Sequence, residues 1–274
     1  MIPKEVFHYT TTKIALEKIF FEKQLRIGQL KFTNDPKESK EHLFAEFIDP
    51  PPYKDWDLAR WIEKLTLIAK PIKLNEWKVL CFSINHPDLE SEKVPIDENP
   101  LLSGGYRPGM WAHYGENHKG VCIKFNGNKL DEQIKKSFSD NEYAIFSGEV
   151  AYDDRWSNDG ANIFINLNDI SELNDKEFEE WLRREYFGKN YARIFLKKSK
   201  GWENEYEFRW FVHSKKDAPE YIPINTIAEE VLVGCDFHEA YYPSLFKFCE
   251  ELRIPAYKVF WDNGKPGRYR IPRL

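Results

Sequence analysis

A chain of 274 residues has room for one large domain or two small ones, and for a substantial core. Its net charge of −5, with 31% charged residues of mixed sign, argues against a protein whose main work is coating nucleic acid, although a local basic groove remains compatible with it. Aromatic residues make up 16% of the chain, which points to large flat packing surfaces or a stacking pocket.

The first element is a short strand, Val6 to Tyr9, followed by Thr10, Thr11 and Thr12. Any of the three threonines can cap the next helix, which runs to about Glu22 on the apolar pairs Ala15/Ile19 and Leu16/Phe20. His8 therefore ends a strand just before a helix N-terminus, where free N–H groups favour an anion. A satisfied structural histidine is the competing reading.

After a short strand at Leu25–Ile27, the run Phe32-Thr33-Asn34-Asp35-Pro36-Lys37-Glu38 reads as a helix start. Asp35 fits the N-cap, Pro36 the first turn, and Glu38 closes a capping box. That helix is expected to continue to about Phe47 and to end at Pro50-Pro51-Pro52. A second helix is expected from about Asp55 to Lys70. Lys78 to Ile84 is a continuous apolar strand, and the long Pro- and Gly-containing loop after it has the length of a functional loop.

Met110 to His118 predicts a short helix, Gly120 to Phe125 a strand and Lys129 to Phe138 an amphipathic helix. Tyr143 to Tyr152 predicts a strand bulged at Gly148, and Asn158 to Asn174 a polar loop. A long helix is expected from about Lys176 to Lys198, its basic end at Lys197, Lys198 and Lys200 solvated at the helix C-terminus. A strand at Glu229–Val233, a helix at His238–Arg253 and strands at Tyr257–Trp261 and Tyr269–Ile271 complete the chain.

The most informative stretch is Gly201 to Val212, GWENEYEFRWFV. With a period of two, Tyr206, Phe208, Trp210 and Val212 face a core, and Glu205, Glu207, Arg209 and Phe211 face the other way. Two carboxylates then stand roughly 6–7 Å apart along one strand face. One of them is expected to have a raised pKa unless Arg209 compensates, and such a pair can share acid–base and cation-stabilising work. An exposed strand face with a cross-strand ion pair is the structural alternative.

The four cysteines, Cys81, Cys122, Cys235 and Cys249, form no CxxC pair and no zinc-finger spacing, so they read as reduced core residues of a cytoplasmic protein. His113 and His118 are five apart, the wrong spacing for two ligands on one helical face, and no metal is expected there. Without a signal pattern or an apolar run of roughly 18 residues, no membrane partner is expected. GxGxxG, P-loop and GxSxG elements are missing, and strands and helices do not alternate regularly. The expected fold is therefore a single α+β domain over residues 1–274, with mixed, largely antiparallel sheets flanked by helices.

Taken in order, FHYTTTKIALEKIFFEKQLRI, FTNDPKE, VLCFS, MWAHYGENHKGVCIKF and the W-x-x-E-x-E-x-R run from Trp202 to Arg209 resemble the prokaryotic family called domain of unknown function 2971. The resemblance covers nearly the whole chain, and the activity of that family is not established. At a second level the chain is similar to ADP-ribosyltransferases, which have a first strand ending in His or Arg, a middle strand ending in Ser or Tyr and a later strand with a catalytic Glu-x-Glu. The corresponding positions are His8, Ser83, Glu205 and Glu207. This resemblance implies an ADP-ribosyltransferase-like core and NAD as substrate, with no metal. Glu207 would stabilise the ribosyl cation and Glu205 act as base toward the acceptor. His8 and Thr10 would hold the adenosine ribose, Ser83 would fix Glu207 or the nicotinamide ribose, and Tyr9 or Tyr114 would stack on nicotinamide. The acceptor, protein or nucleic acid, and the oligomeric state are left open, and the company such families keep implies phage defence or a toxin role. Two other classes compete: a non-catalytic nucleotide- or protein-binding module, and a metal-dependent nuclease using Glu205, Glu207 and Asp35.

Overall fold

The computed structural model describes residues 1–40, 45–48, 58–139, 144–154, 163–166 and 169–272. In chain order the strands are β1 (Glu5–Thr10), β2 (Gln24–Gln29), β3 (Ala45–Ile48), β4 (Trp77–Ile84), β5 (Val121–Asn126), β6 (Ile145–Glu149) and β7 (Ala151–Tyr152). They continue with β8 (Ile163–Asn166), β9 (Lys197–Lys198), β10 (Glu207–His213), β11 (Glu220–Pro223), β12 (Ala228–Val233), β13 (Ala256–Asp262) and β14 (Lys265–Arg270). Ten of them form one open sheet in the order β11-β2-β4-β1-β5-β12-β13-β14, with β10 on the other edge of β4 and β6 beyond β10. All its pairs are antiparallel except β12 with β13. This is the expected α+β class, a largely antiparallel sheet flanked by helices.

The sheet forks at β4. One edge of β4 pairs with β10 along its length, from Trp77↔His213 to Ser83↔Glu207. Two strands share the opposite edge: β2 at Val79↔Gly28 and Lys78↔Gln29, and β1 at Ser83↔Phe7 and Ile84↔Val6. Between the two pairings, around Cys81, β1 and β2 diverge.

Alternation along the strands divides the core. Phe208, Trp210 and Val212 of β10 join Leu80, Phe82 and Ile84 of β4 and the helix Tyr242–Leu252 on one face. Phe211 joins Trp77, Val79 and the helical segment Asp175–Phe195 on the other. Every residue of β10 is buried, so the expected half-exposed strand is in fact covered on both faces. Helix Pro108–His113 covers a third cluster, in which Phe7 and Tyr9 meet Trp111.

Several local expectations give way to tertiary pairing. Thr11 is the threonine that caps the first helix, its Oγ1 accepting from Ile14 N at 3.3 Å. Helix Pro36–Lys40 begins where Asp35-Pro36 predicts, with the Asp35 carbonyl accepting from Glu38 N at 3.0 Å. The Glu38 carboxylate, however, does not close a capping box; it pairs with Arg209. Ala45–Ile48 is a strand paired in parallel with Ile163–Asn166, so neither the helix to Phe47 nor the loop over 158–174 holds. Pro50 to Pro52, Asp55, Tyr143 and Asn158 lie outside the described residues.

Gly148 is not a bulge. It stands in register with Arg209, and a Cβ there would lie 2.4 Å from Leu196 Cδ1. The long helix after Asn174, capped by that side chain and Glu177, passes through a π-turn at Leu182–Gly188 and stops at Phe195. Lys197 and Lys198 form instead a short strand with Ala151 and Tyr152, which turns Lys198 inward. All four cysteines are free thiols, and no described helix is long and apolar enough to cross a membrane.

Candidate active site

The fork in the sheet opens into a cleft of about 180 Å³. Its walls come from β1 (Phe7, His8, Tyr9), β4 (Cys81, Phe82, Ser83), β10 (Glu207, Arg209) and the segment Phe32–Asn34 with Glu38. Lys198, Glu205, Met110 and Tyr114 close it. Its size is below the roughly 300–1,000 Å³ of a complete ligand pocket and comparable to a single ring.

The position of Glu205 differs from expectation. It ends a 3-10 turn, Lys200–Glu205, and Tyr206 then adopts a left-handed conformation (φ 47, ψ 65) before β10 begins at Glu207. The two glutamates therefore do not share a strand face by pleating. Their carboxylates meet because both turn toward one cation: Lys198 Nζ donates to Glu205 Oε2 at 2.7 Å and lies 3.1 Å from Glu207 Oε2. Arg209 Nη2 donates to the same Glu207 oxygen at 2.8 Å, and Arg209 Nη1 donates to Glu38 and, at 3.0 Å, to the Phe195 carbonyl. Tyr114 Oη donates to Glu205 Oε1 at 2.7 Å. All five charged residues are buried, none more than 8% exposed.

Among the described residues three carboxylates thus face two cations. Burial pushes the Glu207 carboxyl up, but Arg209 and Lys198 outweigh it and hold the group at about 2, so it is an anion at neutral pH. Arg209 thus compensates at Glu207, and the carboxyl that is raised is one outside the expected pair, Glu38, where burial outweighs the pairing with Arg209. Burial likewise raises the Cys81 thiol, with the Glu207 charge adding to the effect. The Lys198 ammonium, which burial alone would weaken, is held above its usual range by Glu207 and Glu205.

His8, Ser83, Glu205, Glu207, Tyr9 and Tyr114 all line this cleft; Thr10 does not. Their atoms are engaged differently from expectation. His8 shares its face of β1 with Val6 and reaches the cleft through the fork: its ring packs 5.6 Å from Phe82 and its Nδ1 lies 3.3 Å from the Cys81 carbonyl. Burial lowers its pKa, which keeps the ring neutral. Ser83 Oγ donates to the main-chain carbonyl of Glu205 at 2.8 Å, not to the Glu207 carboxylate, and so fixes the turn. The Tyr9 ring packs edge-on against Trp111, and its hydroxyl donates to the Gly104 carbonyl at 2.7 Å, which fixes the ring in the cleft wall. Tyr114 reaches the carboxylates, and Phe32, 63% exposed, stands at the rim.

Lys198 and Cys81 were not legible as site residues, and at Glu38 the helix-start reading outweighed a functional one. The signal for Lys198 was a buried carboxylate pair in need of a countercharge seven residues after a basic run. The run matched a helix C-terminus equally well. Asp35 does not line the cleft, and among the described residues no group of three or more His, Cys, Asp or Glu side chains is placed to hold a metal ion.

No curated protein and no solved structure matches the chain. Residues 110–210 match the family model described as Protein of unknown function (DUF2971), and Tyr114, Lys198, Glu205, Glu207 and Arg209 lie within the matched stretch.

Proposed function

We propose that the cleft cleaves the nicotinamide–ribose bond of NAD and passes the ADP-ribosyl group to an acceptor or to water. The observation that carries this reading is that His8, Ser83 and Glu207, from three neighbouring strands, line a single cleft. The charge balance supports it. A surplus of carboxylates over cations favours a cationic ring such as the pyridinium of NAD, while the diphosphate stays outside.

In this reading the C–N bond to ribose breaks and its electron pair leaves with neutral nicotinamide. The positive charge develops on ribose C1 and the ring oxygen, as in glycoside cleavage. Glu207, ionised and fixed by Arg209 and Lys198, is already oriented and offers its charge without reorganising. Glu205, positioned by Lys198 and Tyr114, accepts the proton of the attacking acceptor hydroxyl or water. Neutral His8 hydrogen-bonds a ribose hydroxyl without repelling the cation, and exposed Phe32 offers a stacking surface at the rim. Four free thiols fit a reducing, cytoplasmic setting.

A second reading is a nucleotide- or protein-binding module without chemistry. It is favoured by the full engagement of Glu207 with Arg209 and Lys198. Nicotinamide release separates the two. Purified protein is incubated with NAD, with and without nucleic acid and cell extract, beside Glu207→Gln. Release lost in Glu207→Gln supports transfer chemistry. Binding of NAD without release by folded protein supports the module, and neither binding nor release at millimolar NAD overturns the cofactor.

A further inference from the structure

At the far end of β10 lies a second cleft, of about 660 Å³. His213, which lines it, is six residues from Glu207 on the same strand, about 20 Å at the usual strand rise. Among the described residues five cations, Arg183, Arg184, Lys189, Lys215 and Lys216, line this cleft with Glu180, and further carboxylates, Glu76, Glu185 and Glu220, pair with them from its margin. On a chain of net charge −5 this is a lining rich in cations, four of them paired with carboxylates.

The five cations are not equivalent. Arg183 is committed: its Nε and Nη2 donate to Glu76 at 2.8 and 2.9 Å, and it forms a wall. Lys189, Lys215 and Lys216 pair with Glu185, Glu180 and Glu220, but their side chains are 72%, 64% and 63% exposed. Ion pairs that exposed contribute about 1 kcal/mol or less, so an incoming phosphate can replace the carboxylate. Arg184 is exposed on the same helical segment.

The turn carrying Lys215 and Lys216 is held from beneath. Fully buried Lys78 donates through Nζ to the main-chain carbonyls of Ser214 at 3.1 Å and Lys216 at 2.8 Å, and to that of Asn75. Ser214 Oγ donates to Glu220 at 2.7 Å. The direction of the two lysines is thus set by buried polar contacts before any ligand arrives, which lowers the ordering cost of binding. The cleft is too wide for one phosphate, and Phe146, itself stacked on Tyr191 with ring centres 4.4 Å apart, contributes an aromatic wall.

We infer that this cleft binds a ligand carrying several phosphates, through Arg184, Lys189, Lys215 and Lys216. A nucleoside triphosphate and the backbone of a short single-stranded nucleic acid present the same chemistry, and the test separates them. The inference is independent of the NAD reading, since none of these side chains lines the first cleft.

Anisotropy of a fluorescein-labelled dT10 and calorimetry with ATP are measured on the full chain at 50–200 mM salt. The variants are the double substitution Arg184→Glu/Lys215→Glu and, as a control on other exposed lysines, Lys13→Glu/Lys136→Glu. Both pairs are on the surface, and circular dichroism checks the fold. The expected result is binding that weakens at least tenfold in the first pair and not in the second. For a single strand, four phosphate contacts give a log–log salt slope of about −3, falling to about half when two cations are removed. dT10 binding without ATP binding assigns a nucleic-acid strand, and ATP binding at equal or higher affinity assigns a nucleotide. No binding of either probe by folded protein at 50 mM salt, or an equal loss in the control pair, overturns the site.

Discussion

Lys198 Nζ stands 3.1 Å from Glu207 Oε2, with both side chains less than a tenth exposed. Breaking a buried pair by removing one partner leaves an uncompensated charge and costs about 3–5 kcal/mol. Lys198→Met removes the cation shared by Glu205 and Glu207. It is expected to destabilise the fold by that amount, read as a lower urea midpoint at pH 7. A variant as stable as the parent would mean that Arg209 alone satisfies the cluster.

The same cluster sets an acid limit. The Glu207 carboxyl has its usual value near 4.5 in the unfolded chain and about 2 in the folded one. Because the folded value is depressed, its stabilisation is present above about pH 4.5 and is lost as the pH falls toward 2. The shift corresponds to something on the order of 3 kcal/mol. Raised Glu38 works in the opposite sense and reduces the net effect. The stability gap between the parent and Glu207→Gln, followed by urea unfolding from pH 6 to pH 3, is therefore expected to narrow as the solution is acidified. A gap independent of pH would show that Glu207 is not held ionised.

Tyr206 pays for the turn that brings Glu205 to Glu207. A left-handed conformation costs a residue with a Cβ about 1–2 kcal/mol, and glycine adopts it freely. Replacement by Ala and by Gly removes the same ring contacts with Arg107 and His86. The prediction is that Tyr206→Gly is more stable than Tyr206→Ala by about 1 kcal/mol, contrary to the usual order. Equal thermal midpoints would place no strain at this residue.

Gly234, which closes β12, meets the main chain of another loop. A Cβ there would stand 1.9 Å from the His118 carbonyl oxygen, and the Glu116-Asn117-His118 turn already runs through three left-handed residues. Backbone cannot swing away as a side chain can. Gly234→Ala is expected to cost more than about 3 kcal/mol, in the range reserved for core disruption. Gly148→Ala, which meets only the tip of Leu196, is expected to cost clearly less. Parallel denaturant titrations of the two variants check the order.

The α+β class, most strands and the helix starts at Thr11 and Asp35 were legible because they rest on local rules: apolar period, capping side chains and the fixed φ of proline. The burial of both faces of β10 was not legible, since Glu207 and Arg209 look like solvent-facing residues until their partners are known. The strand pair 45–48 with 163–166 was missed for a related reason: its partner is more than a hundred residues away.

The sequence by itself determined the strand pattern of β1, β4 and the 201–212 stretch and the residue types along them, because period and residue type are local properties. Only the tertiary structure decided how they meet. The fork of β1 and β2 on one edge of β4, the left-handed turn at Tyr206 and the inward rotation of Lys198 each depend on contacts between distant segments. A buried charge must find its countercharge in three dimensions, and for Glu207 it found one two residues away and the other nine residues upstream, across a turn.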